Sequence, residues 1–139
     1  MITGTSAGLG RGLAQVLLAR DWSVYGCSRR ASDLDGLRSA RVDLTRHAAV
    51  GPALEGLVAD VPALDLVVLN AGILGAIRDI GETPLEDLQR VMETNVWANK
   101  TVLDWLLHSD RPVRQILLIS SGAALLGNRG WGGYALSKA

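Results

Sequence analysis

Cysteine is almost missing from this chain: Cys27 stands alone, so no internal disulfide can form, and no CxxC pair or Cys/His cluster offers a zinc site. A reducing compartment is expected. An excess of one charge is missing too, because Lys plus Arg and Asp plus Glu number 14 each. Without such a field nothing draws in nucleic acid or an anionic membrane surface, and neither partner is expected. No apolar run approaches the roughly 20 residues of a membrane-spanning helix. Met1 leads straight into a Thr-Gly turn, without the basic start and apolar stretch of a secretion signal. Together these absences predict a cytoplasmic location. No repeat, linker or compositional break divides the chain, and its 139 residues suit one domain.

What is present is ordinary globular composition, 48% apolar and 20% charged. Short runs rich in Val, Ile and Leu alternate with longer stretches of helical period, the pattern of βαβ units around a parallel sheet. Strands are predicted at Met1 to Thr3, Ser23 to Ser28, Ser39 to Val42, Leu64 to Asn70 and Gln115 to Ser120. Helices are predicted at Leu9 to Arg20, His47 to Ala59 and Leu85 to His108. The last of these has the clearest start, since Thr83-Pro84-Leu85-Glu86 combines an N-cap threonine, an early proline and a capping-box glutamate. The fold class read from this order is α/β, a Rossmann-type doubly wound parallel sheet. Its first strand is short and the helix opening at Tyr134 has barely begun, so further residues are expected before the N-terminus and beyond the C-terminus, the latter with the far edge of the sheet.

Thr3-Gly4-Thr5-Ser6-Ala7-Gly8-Leu9-Gly10 follows the first strand and opens the first helix. Glycines there permit positive φ and let backbone N–H groups approach a pyrophosphate at the helix N-terminus. A Walker loop is excluded, because Gly10 is followed by Arg11 and Gly12 rather than by lysine and a hydroxyl residue. The spacing TGxxxGxG resembles that of the short-chain dehydrogenase/reductase family in its single-domain form, and the likeness runs from Thr3 to Ala139. Binding of a nicotinamide dinucleotide is implied, with Gly4, Thr5, Ser6, Gly8, Leu9 and Gly10 at the phosphates.

An acidic residue after the second strand would accept hydrogen bonds from a ribose 2′-OH and repel a 2′-phosphate. Here Cys27-Ser28-Arg29-Arg30 has none. A hydroxyl and two guanidinium groups suit a phosphate dianion, so Ser28 and Arg29 favour NADP(H) over NAD(H). The alternative is that both arginines simply solvate a loop. Asp43 with Leu44 resembles the family's adenine contact, or is a helix cap. Asn70-Ala71-Gly72 resembles the family's segment beside the cofactor, or is a strand-end turn.

Tyr134 and Lys138 are four apart and share one helix face. Hydride transfer to a carbonyl needs a proton donor for the developing alkoxide, and a free tyrosine, with pKa about 10, exchanges protons poorly near neutrality. A neighbouring ammonium favours the phenolate. Ser121 lies thirteen positions before Tyr134 at the end of the fifth strand, as the family's catalytic serine does, where a hydroxyl holds the substrate carbonyl. Asn95 is a poor helix former inside a long helix; the resemblance implies that it positions a water linking the lysine to solvent. The implied activity is NADP(H)-dependent interconversion of a carbonyl and an alcohol, with Tyr134 as general acid/base and Lys138 also holding the nicotinamide ribose.

Gly130-Trp131-Gly132-Gly133-Tyr134 looks like the sepiapterin and benzil reductase branch, which acts on carbonyls beside aromatic or dicarbonyl groups. Members of the family pair subunits through the long helix and the Tyr/Lys helix, so a homodimer or homotetramer is implied. An NADP(H)-binding regulator without chemistry and an inactive fragment remain alternatives. An extended-branch sugar-nucleotide epimerase would differ in glycine pattern and length. His47 and His108 are read as helix-end residues, Trp22, Trp97 and Trp105 as packing, Cys27 as a small buried hydrophobe, and Ser120 as serving the backbone.

Overall fold

The computed structural model describes Met1–Ala139. Five parallel strands lie in the order β3-β2-β1-β4-β5: β1 (Ile2–Thr3), β2 (Tyr25–Ser28), β3 (Arg38–Arg41), β4 (Val67–Leu69) and β5 (Ile116–Leu118). The first strand is therefore central, with Ile2 paired to Gly26 on one side and to Val68 on the other. The strands are added outward from β1 to one side as β2 and β3 and to the other as β4 and β5, and this switch in order opens a crevice beyond the carboxyl ends of β1 and β4.

Alternation along the strands sends side chains to both faces, and both faces are covered by helices. On one face Ile2 and Val68 pack with Ala14 and Val24, backed by Leu13 and Leu17 of α1 (Gly8–Leu18). On the other, Val67, Leu69 and Cys27 pack against Val50, Leu54 and Val58 of the α2 (His47–Leu57) segment and against Ala98, Val102 and Leu106. The edges differ from this centre. β3 carries Arg38 and Arg41 toward solvent, and Leu117 and Leu118 of β5 are exposed.

The predicted elements are present with altered ends: β3 is shifted one residue toward the N-terminus, and the other strands are shorter than expected, although Leu64 still bridges Val113 outside β4 and β5. The long helix predicted from Leu85 to His108 is three pieces, α3 (Leu85–Met92), a π turn at Glu93–Trp97, and α4 (Ala98–His108). Its expected cap also differs. Thr83 donates its hydroxyl to Asp79 O at 2.9 Å instead of capping the helix, and Pro84 occupies the N-cap position without a side-chain bond. A short α5 (Gly132–Lys138) closes the chain and packs on α3. Of the tryptophans read as packing, Trp105 lies against the core, whereas Trp22 and Trp97 are about half exposed. His47 and His108 do stand at helix ends. Cys27 is fully buried, and that burial pushes its thiol up to about 12.

Candidate active site

The crevice at the strand ends is a cleft of about 560 Å³. Its floor is the turn after β1. Gly4 and Gly8 sit at φ +79° and +58°, conformations that cost any residue with a Cβ. Gly10 is constrained by space: a Cβ there would meet the Asn70 amide nitrogen and stand 2.5 Å from Gly4 O. Ala7, the N-cap of α1, supplies no side-chain cap, and no carboxylate occupies the first turn. Its N–H groups thus remain available to an anion. Ser6, Gly8 and Leu9 line the cleft beside Gly4, while Thr5 and Gly10 are buried beneath it.

One wall comes from β2 and β3. Ser28, Arg29 and Arg30 line it, with the Ser28 hydroxyl donating to Arg30 O at 2.6 Å and Arg41 Nε donating to Arg29 O at 3.0 Å. These bonds fix the backbone and leave the Arg29 and Arg30 guanidiniums outside every ion pair in the structure. Asp43 and Leu44 follow on the same wall. Asp43 is not the helix cap: its Oδ1 accepts from Thr45 N at 3.1 Å and Thr45 Oγ1 at 2.8 Å, closing a turn ahead of α2. Those bonds to Thr45 hold its carboxyl below the usual range.

The opposite wall follows β4. Asn70, Ala71 and Gly72 line it, and Asn70 ties the two central strands by donating Nδ2 to Thr3 O at 2.9 Å. Arg90 and Thr94 also reach the cleft. Sequence reasoning missed both; their four-residue spacing, next to Asn95, is the signal that places them on the same helix face.

Three of the four predicted catalytic residues converge at the far end. Asn95 is buried in the π turn, where its Oδ1 accepts from Ile73 N at 2.7 Å and its Nδ2 donates to Ile73 O and Ser137 Oγ at 2.9 and 2.8 Å. The π turn also frees Asn95 O, which accepts from Asn99 Nδ2 at 2.7 Å. Lys138 reaches across Gly72, donates Nζ to Ile119 O at 2.7 Å, and lies 5.7 Å from the centre of the Tyr134 ring. Burial lowers its ammonium from the ordinary lysine value. Tyr134 is half-buried, with Trp131 edge-on at 5.9 Å between ring centres.

The fourth residue, Ser121, precedes a 3₁₀ turn (Gly122–Ala124) that packs against α5. Its Oγ accepts from Ala123 N at 3.2 Å, which leaves the hydroxyl proton to donate elsewhere. Ser120 serves the backbone as expected, donating to Lys138 O at 3.1 Å.

Comparison with known proteins places the chain's fold and sequence in one family. An NADPH-dependent pterin aldehyde reductase of Arabidopsis thaliana is 32% identical over 91% of this chain and 59% of its own length. A 2-dehydro-3-deoxy-L-rhamnonate dehydrogenase (NAD(+)) of a Sphingomonas strain is 28% identical over 100% and 59%. The crystal structure of a short-chain dehydrogenase/reductase from Burkholderia vietnamiensis superposes with a TM-score of 0.84 at 30% identity, covering 99% of this chain and 69% of that one. The chain spans about three fifths of the length of the curated relatives it matches. The model of the short chain dehydrogenase family matches residues 1–139, and the chain belongs to the short-chain dehydrogenase/reductase family, whose members are NAD(P)-dependent oxidoreductases.

Proposed function

We propose that this chain carries the cofactor-binding and catalytic residues of an NADP(H)-dependent carbonyl reductase, acting on a ketone or aldehyde beside an aromatic or second carbonyl group. The observation that carries the reading is the Lys138 amine, anchored on Ile119 O and set over the Tyr134 ring. An ammonium held beside a phenol favours the phenolate and so brings proton exchange toward neutral pH.

The residues present fit the dinucleotide. The cradle at Gly4, Gly8 and Gly10 is one that added methyl groups would strain or fill, and the uncapped start of α1 faces it. Arg29 and Arg30, free of carboxylate partners, suit a 2′-phosphate, and Asp43 suits an adenine amino group. The Arabidopsis relative's name specifies NADPH, the Sphingomonas relative's NAD(+); the two guanidiniums favour the former here.

Bound NADPH would supply the hydride. Ser121 donates its hydroxyl proton to the substrate carbonyl and orients it. Tyr134 delivers a proton to the same oxygen as negative charge builds there. Lys138 favours the phenolate left behind. Both amide protons of Asn95 are already donated, so a water positioned by its side chain would donate to its oxygen, which accepts from Ile73 N and lies beside Gly72. Exposed Leu85 and Trp97 along the long helix support subunit pairing on that face.

The test is Tyr134→Phe in the protein that carries this sequence, assayed by NADPH absorbance with a diketone. NADPH affinity is expected to stay within twofold while turnover falls at least a hundredfold. Retained turnover overturns the role of Tyr134, and failure of the unaltered protein to bind NADPH overturns the whole reading.

A further inference from the structure

The helix that presents Tyr134 and Lys138 has little in its own sequence to fix where it starts. It opens on Gly132 and Gly133, its N-cap Trp131 makes no side-chain cap, and it is short. Its first turn must therefore be held from outside, and the segment following β4 does so at several points. Asp79 receives the Arg129 guanidinium as a fork, Nε to Oδ1 at 2.8 Å and Nη2 to Oδ2 at 2.6 Å. One residue along each segment, Arg78 N donates to Gly130 O at 3.1 Å.

The glycines complete the fit. A methyl group at Gly130 would stand 3.0 Å from Ile77 Cγ2, one at Gly132 would stand 2.8 Å from Ile80 Cδ1, and one at Gly133 would stand 3.0 Å from Leu88 Cδ2. The stretch from Arg129 to Gly133 is thus laid against residues 77 to 88 and leads directly into Tyr134. Between the glycines, Trp131 meets the Tyr134 ring edge-on.

From this juxtaposition we infer that Asp79 and Arg129 are positioning residues for Tyr134: their forked ion pair clasps the two segments and sets the start of α5. The role rests on Tyr134 being the proton donor. Both partners are exposed, with Arg129 88% and Asp79 42% accessible, so their attraction as a pair is weak. What a planar, two-point contact adds is direction. A phenol displaced by a fraction of an ångström from a carbonyl loses rate without losing the cofactor.

The experiment is a double-mutant cycle of Asp79→Asn, Arg129→Met and both together. Each is measured for NADPH affinity, for kcat and KM with a diketone, and for amide hydrogen exchange across residues 129 to 135. Each single change is expected to lower kcat about three- to tenfold, to leave NADPH affinity within twofold, and to speed exchange across that stretch; the double is expected to cost no more than either single. Unchanged kcat and exchange in the single variants overturns the clasp, and so does a double variant whose losses simply multiply. Arg129→Lys keeps the charge and loses the fork, and is expected to stay impaired; full recovery in it also counts against the clasp. If the unaltered protein neither binds NADPH nor turns over a ketone, the reading of the site fails instead, and the exchange data still decide whether the pair orders residues 129 to 135.

Discussion

Asn70 donates twice to Thr3 where the order of the strands switches between β1 and β4: its backbone N–H to the Thr3 hydroxyl oxygen at 3.0 Å, and its Nδ2 to Thr3 O at 2.9 Å. Ala71 N donates to the same Thr3 oxygen at 2.9 Å. One hydroxyl thus accepts two backbone N–H groups just past β4 and ties the two sides of the cleft together. A sheet that must open to admit a ligand needs such a tie immediately below the opening.

Thr3→Val keeps the shape of this fully buried residue and removes the acceptor of two backbone N–H groups. Leaving buried donors unpaired costs about 1–3 kcal/mol. Urea unfolding of the variant is expected to show a loss in that range with an unchanged m-value; a loss below about 0.5 kcal/mol would mean that the strands pair as well without the tie.

Gly10→Ala tests the floor of the cleft. The new methyl would meet backbone, Gly4 O at 2.5 Å, so the turn itself has to shift rather than a flexible side chain. A displacement there moves the N–H groups that face a pyrophosphate. NADPH affinity is expected to fall at least tenfold by fluorescence titration, whereas Gly12→Ala, with open space around its added methyl, is expected to bind normally. Equal affinity in both variants would remove the glycine turn from the binding site.

The contrast between those two glycines explains what the sequence discloses. Gly4, Gly8 and Gly10 are legible because the demand on them is local: a positive φ, or a Cβ with nowhere to go. Tyr134 and Lys138 are legible for the same reason, since i and i+4 meet on any helix. The π turn is not, because Asn95 is held there by Ile73 and by Ser137, partners 22 and 42 residues distant. The Thr83 cap fails for a local reason: the 3₁₀ turn at Ile80–Glu82 brings Asp79 O, four residues back, to its hydroxyl. The spacing of Arg90 in α3 and Thr94 in the π turn puts them on one face, but that this face meets the cleft is set by long-range packing.

Arg29→Ala separates the two nicotinamide cofactors. Its guanidinium is in no ion pair and only lends its charge to Asp43 at longer range, so the cost of the change falls chiefly on whatever phosphate it meets. A charge-assisted hydrogen bond is worth about 1.5–3 kcal/mol, or roughly ten- to a hundredfold in affinity. Titration with 2′,5′-ADP is expected to show that loss while 5′-AMP binds within twofold of the unaltered protein. Equal weakening toward both ligands would assign Arg29 to the shape of the wall rather than to the 2′-phosphate.

Lys138 gives the site a pH signature before any ligand binds. Burial lowers its folded pKa below the unfolded value of 10.5, so the folded chain holds fewer protons than the unfolded chain between the two values. Where the unfolded state binds more protons, stability rises with pH. The cost of keeping the ammonium half-buried is therefore fully present below the folded pKa and disappears as pH climbs to 10.5. Lys138→Met removes the titration together with the bond to Ile119 O, so the pH dependence of the difference in unfolding free energy between the unaltered protein and this variant isolates the titration. That difference is expected to shift in favour of the lysine between pH 7 and pH 10, read by urea unfolding at fixed ionic strength. A flat difference would mean that water reaches the amine freely in the folded chain, and a pocket that admits water so readily would leave Lys138 screened from the Tyr134 phenol it is proposed to tune.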